Sequence, residues 1–91
     1  MTALSREFPI INKRGLHARA SAKFVQTVSA FDAIVIVSKD GMSVGGTSIM
    51  GLMMLAASPG CCVQVEASGN QALEVLDALE KLIANRFGEE M

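Results

Sequence analysis

The sequence predicts a two-layer α+β sandwich, with one antiparallel sheet of four strands and three helices packed on one of its faces. Three observations carry this fold class. The apolar residues switch between strand-like and helix-like spacing in the order strand, helix, strand, strand, helix, strand, helix, with no internal repeat or linker. At 91 residues the chain is too short for two cores, so it reads as one domain in which every element hides its single apolar face in a shared interior. Its composition, 51% hydrophobic and 19% charged, is globular and excludes extended disorder; only the extreme ends read as loose.

The first strand is "REFPIIN", residues 6–12, rich in Ile and Phe, with Pro9 suited to a sheet edge because it has no N–H for a ladder. Gly15 marks a turn. Residues 18–30 form an amphipathic helix on Phe24, Val25 and Val28, flanked by Ala18 and Ala22. "DAIVIVSK", residues 32–39, is a continuous β-branched run and reads as a well-buried strand. Asp40 and Gly41 then turn the chain into a short strand at 42–44. "GGTS" introduces a short helix over 48–57, "SPG" at 58–60 stops it, and "CCVQVEA", residues 61–67, is the fourth strand. The last helix runs from Asn70 to Gly88, with Ala72, Leu73, Val75, Leu76, Leu79, Leu82 and Ile83 opposite Glu74, Asp77 and Lys81.

Several function classes are disfavoured at once. "MTALSREFPI" meets Arg6 and Glu7 before any apolar core of a secretory signal, so a cytoplasmic location is expected. Residues 41–65 carry no charge, yet glycines and "SPG" confine the continuous apolar part to about two helical turns, short of the roughly 20 residues a membrane span needs. Cys61 and Cys62 are neighbours whose side chains would diverge along a strand, so a disulfide between them would be strained and reduced thiols are expected. A metal site would need further ligands, and His17, the one histidine, is far away in sequence; neither metal nor cofactor is expected.

Net charge is −1, which steers nothing toward nucleic acid, but its distribution is uneven. Lys13, Arg14, Arg19 and Lys23 surround His17, and no Asp or Glu lies between Glu7 and Asp32. A helix starting at Ala18 would aim its first free N–H groups, and the positive end of its dipole, at the same turn. Anions should favour this place. A ring among cations keeps to its neutral form, which retains a nucleophilic nitrogen and needs no separate base. Phosphoryl transfer onto imidazole suits that arrangement, with helix N–H groups and the Arg19 fork to stabilise the oxygens. The plain alternative is a solvated histidine in a turn, with Lys13 and Arg14 as ordinary exposed charges.

"GLHARAS" followed by "AKFV", and "TSIMGLMML" further on, resemble the two signature segments of the HPr family, the histidine-containing phosphocarriers of the bacterial phosphotransferase system. The order of all seven elements agrees as well. The resemblance implies an open-faced β-sandwich and a carrier that turns over no substrate of its own. His17 would accept a phosphoryl group on Nδ1 from phosphorylated enzyme I, which draws it from phosphoenolpyruvate, and pass it to a sugar- or nitrogen-branch enzyme IIA. Arg19 matches the arginine that supports the phosphohistidine. One position departs: the family commonly has Pro where this chain has Ala20, which leaves the first helical turn slightly less fixed but still helix-favouring.

Ser48 matches the serine that a dedicated HPr kinase/phosphorylase modifies in many members, and Thr47 or Ser48 also reads as a simple helix cap. Of the apolar residues on that short helix most should be core. Ile49, Met50 and Met53 are nonetheless favoured as partial contacts for successive partners, because methionine surfaces adapt and the family docks through this helix and the first one. Lys23 could supply a charged rim for acidic partners. A monomer with no membrane association is expected. The competing readings are a small nucleic-acid-binding module using Lys13, Arg14, Arg19 and Lys23, disfavoured by the mildly acidic balance and by only four Phe with no Trp or Tyr for stacking, and a regulator acting through Ser48 alone.

Overall fold

A computed structural model describes residues 3–89, so the expectation of loose extreme ends falls largely on residues 1–2 and 90–91, outside the described residues. The elements follow in the order β1 (Leu4–Pro9), α1 (Ala18–Ser29), β2 (Ile34–Lys39), β3 (Met42–Gly45), α2 (Ile49–Met54), β4 (Cys62–Ser68) and α3 (Ala72–Ala84), and a single 3-10 turn over Arg86–Gly88 comes last. The strands form one open antiparallel sheet in the order β1-β4-β2-β3. β4 pairs Val63 with Phe8 on one side and Val65 with Val37 on the other. Pro9 therefore lies in an edge strand, where its missing N–H costs no ladder bond.

Alternate residues Phe8, Val35, Val37, Val63, Val65 and Ala67 are buried under the helices. The opposite sheet face is open, and there the strand expected to be well buried shows Ile34 and Ile36 to solvent. The unbroken run of β-branched residues concealed an ordinary period of two. At the β2–β3 connection Asp40 (φ 51°) and Gly41 (φ 83°) both take left-handed backbone, the signature of a two-residue type I′ turn. The core is closed by Ala20, Phe24 and Val28 of α1, Leu52 of α2, and Val75, Leu76, Leu79 and Ile83 of α3. Among the described residues no helix is long and apolar enough to cross a membrane.

Two helices end earlier than their sequence pattern suggests, for reasons of long-range contact. α2 stops at Met54; Ala56 turns left-handed (φ 53°) and the Ala57 carbonyl accepts the Leu16 N–H at 3.0 Å. α3 stops at Ala84, after which Arg86, Phe87 and Gly88 all have positive φ and carry the chain back across the molecule. Phe87 is buried in the core. Burying a side chain of that size contributes about 1.5–3 kcal/mol, of the same order as the roughly 1–2 kcal/mol that each left-handed non-glycine residue costs.

Candidate functional site

The segment between β1 and α1 is held from several directions. Ile10 donates its N–H to the Cys61 carbonyl at 2.8 Å and accepts from the Gly60 N–H at 3.1 Å. Gly15 has φ +65°, and a Cβ there would lie 2.2 Å from the Ala57 carbonyl oxygen, so only glycine fits. Asn12 is fully buried, and its Nδ2 donates to the Gly15 carbonyl and to Glu89 Oε1, both at 2.8 Å.

This frame delivers His17 as the residue that caps the N-terminus of α1, with extended backbone (φ −74°, ψ −179°). The His17 carbonyl accepts the Ser21 N–H at 2.9 Å, starting the helical ladder. Its ring Nδ1 accepts the Arg19 N–H at 3.3 Å, so one nitrogen faces the helix terminus. The other nitrogen, Nε2, hydrogen-bonds Glu89 Oε2. Both side chains are largely buried, 17% and 16% exposed. The Asn12 amide is the main cause that holds the Glu89 carboxyl below the ordinary carboxylate range; burial opposes it, and His17 and Arg14 add to it. The cationic field read from the N-terminal residues is thus met by an acid arriving from the opposite end of the chain.

Arg19 is exposed on the first turn of α1 beside His17. Ala20, where the family pattern has proline, buries its methyl group in the core. Lys23, one turn on, donates from Nζ to the Phe87 carbonyl at 2.5 Å, so its ammonium fastens the returning C-terminal segment. Ser48 caps α2: it is exposed, and its Oγ accepts the Gly51 N–H at 3.0 Å. The expectation that most apolar residues of α2 are core is corrected, because Ile49, Met50, Met53 and Met54 are all exposed while Leu52 and Leu55 are buried. α1 packs beside α2, placing the His17 turn and the methionine surface on adjacent helices.

Asn12 and Glu89 are not among the residues to which the sequence alone points. The available signal was Phe87, a large apolar residue beyond the end of the α3 stripe and followed by Gly88, which marks a segment that must fold back. Chemically, the assembled site offers an imidazole nitrogen at a helix N-terminus, free N–H donors in the first turn, and an exposed guanidinium within the same turn. Such a place stabilises an anion forming on the ring.

A family model described as the PTS HPr component phosphorylation site matches residues 4–85. Phosphocarrier protein HPr of Cupriavidus necator is 54% identical over 86 residues, covering 94% of this chain and 97% of that protein. The HPr of Neisseria meningitidis is 51% identical over 86 residues, covering 94% and 97%. Among solved structures, HPr-C-His from Thermoanaerobacter tengcongensis superposes with a TM-score of 0.89 at 44% identity, covering 100% of both chains.

Proposed function

Because this chain belongs to the HPr family of phosphocarrier proteins of the phosphotransferase system, we propose that His17 is its phosphoryl acceptor. It takes the group from phosphorylated enzyme I, which is charged by phosphoenolpyruvate, and hands it to an enzyme IIA of a sugar or nitrogen branch. The observation that carries this reading is the placement of His17 at the N-terminus of α1 with Nδ1 against the Arg19 N–H. The Nδ1 lone pair forms the bond to phosphorus as the donor's bond breaks. The transferred oxygens then meet N–H groups of the first turn, which lack helical acceptors. The exposed Arg19 guanidinium adds a charge-assisted fork. Transfer to enzyme IIA reverses these steps.

Partners dock on the face made by α1 and α2, where Ile49, Met50 and Met53 supply adaptable apolar contact, and Met54 extends the patch. Lys23 borders this face while tethering the Phe87 carbonyl. Ser48 is a regulatory position for an HPr kinase/phosphorylase: its exposed hydroxyl sits at the edge of the methionine surface, and a phosphate there would disturb docking through charge without unfolding the domain.

Incubation with phosphoenolpyruvate and purified enzyme I, followed by intact mass, is expected to give an acid-labile phosphoryl adduct that is absent in His17→Ala. No adduct on folded protein with an active cognate donor would overturn the reading. For Ser48, a cognate kinase with ATP should give an acid-stable adduct that vanishes in Ser48→Ala; persistence of the adduct would move the site to another hydroxyl, Thr47 first.

A further inference from the structure

The Glu89 carboxylate has no part in holding the phosphoryl group as described, yet it sits against the reactive ring. We propose that Glu89 is a positioning residue that fixes the tautomer of His17 and balances the charge the ring acquires on phosphorylation, with Asn12 aiming it. The inference rests on His17 being the phosphoryl acceptor.

The proton assignment follows from the two ring contacts. Nδ1 faces a backbone N–H, which can only donate, so Nδ1 carries a lone pair. Nε2 faces a carboxylate, which can only accept when ionised, so Nε2 carries the proton. Both contacts select the same tautomer, and it is the one that leaves Nδ1 nucleophilic at the helix terminus. The Asn12 amide clamps Glu89 Oε1 and favours the ionised acid. The Lys23–Phe87 hydrogen bond and the burial of Phe87 fix the backbone that brings Glu89 there.

During transfer the Nδ1 lone pair bonds to phosphorus, and the electron pair of the breaking bond stays on the donor protein, which departs dephosphorylated. The His17 ring keeps its Nε2 proton and gains positive charge spread over both nitrogens. Glu89 holds the opposing negative charge on the nitrogen away from the phosphoryl oxygens, in the manner of a carboxylate that orients and stabilises a histidine in acyl transfer. When the group passes to the acceptor, the ring returns to neutrality with the same proton in place.

Two measurements test this together on wild-type, Glu89→Gln and Glu89→Ala proteins. In nitrogen-15 spectra of unphosphorylated wild-type protein, His17 should show a proton on Nε2, visible through slow exchange, and a bare Nδ1. In Glu89→Ala that proton signal should broaden away. Rapid-quench measurement of phosphoryl uptake from phosphorylated enzyme I should slow about tenfold or more in both variants, and the charged fraction at equilibrium should fall, since Glu89→Gln keeps the side-chain size but removes the charge. A proton on Nδ1 of the wild type overturns the proposal. So does an Nε2–H signal unchanged by Glu89→Ala. Uptake unchanged in Glu89→Gln overturns the charge-balancing role. The spectra are read without any donor protein, so a wild type that fails to accept phosphoryl would sink the carrier reading while leaving the tautomer result to stand or fall separately.

Discussion

At the scale of single residues, the site shows how one ring can be given two different nitrogens by its surroundings. Arg19 contributes twice, through its backbone N–H to Nδ1 and through a side chain free to meet an incoming anion. Arg19→Ala should therefore leave the fold intact but slow phosphoryl uptake by one to two orders of magnitude, since a hydrogen bond to a charged group is worth about 1.5–3 kcal/mol. Arg19→Lys should recover only part of the rate, because a point charge lacks the planar fork; quench-flow with phosphorylated enzyme I would read both. Glu89 gives a pH prediction. Its carboxyl is held below its usual value when folded, so its contacts with Asn12 and His17 contribute fully above the ordinary carboxylate range and are lost as pH falls through the lower folded value. Amide protection factors at residues 87–89 should fall in that acid window while those of β4 stay high.

The elements show where sequence patterns ended and long-range contacts took over. β1 was legible as an edge strand from Pro9, and the β2–β3 hairpin from Asp40 and Gly41, because both signals are local. The ends of α2 and α3 were not. Their apolar stripes continue past the helices, and what stops them is the Leu16–Ala57 hydrogen bond in one case and the burial of Phe87 in the other. The role of Lys23 was concealed for the same reason, since its acceptor lies 64 positions away. Two substitutions test these supports. Gly15→Ala should destabilise the domain by about 2 kcal/mol or more, combining left-handed strain with a methyl forced onto the Ala57 carbonyl. Ser48→Ala should cost about 1 kcal/mol through the lost cap on α2, whereas Ser48→Asp should retain the cap. Urea denaturation would measure each.

At the scale of the whole molecule, the sheet brings β1 and β4 side by side so that the 57–61 loop buttresses the His17 loop, and α3 returns its C-terminal segment to the same point. The fold class was readable from the alternation of strand-spaced and helix-spaced apolar residues, and His17 stood out through its cationic neighbours and two short signature segments. The acid partner was not, because Asn12 and Glu89 stand 77 positions apart in the chain and only the tertiary fold joins them. The exposure of Met50 and Met53 on a helix beside α1 suits a carrier that must recognise a donor and an acceptor in turn. Met50→Ala or Met53→Ala should weaken binding to enzyme I roughly fivefold to tenfold with no change in thermal stability, as measured by titration calorimetry and thermal melting.

In the proposed relay the phosphoryl group passes through His17 from donor to acceptor. Labelled phosphoenolpyruvate, enzyme I and a cognate enzyme IIA, mixed with and without this protein, show whether it does. Label should reach enzyme IIA only in the presence of wild-type protein and should fail to do so with His17→Ala. Equal labelling of enzyme IIA with His17→Ala, or label that reaches the wild-type protein and never leaves it for any cognate acceptor, would rule this relay out.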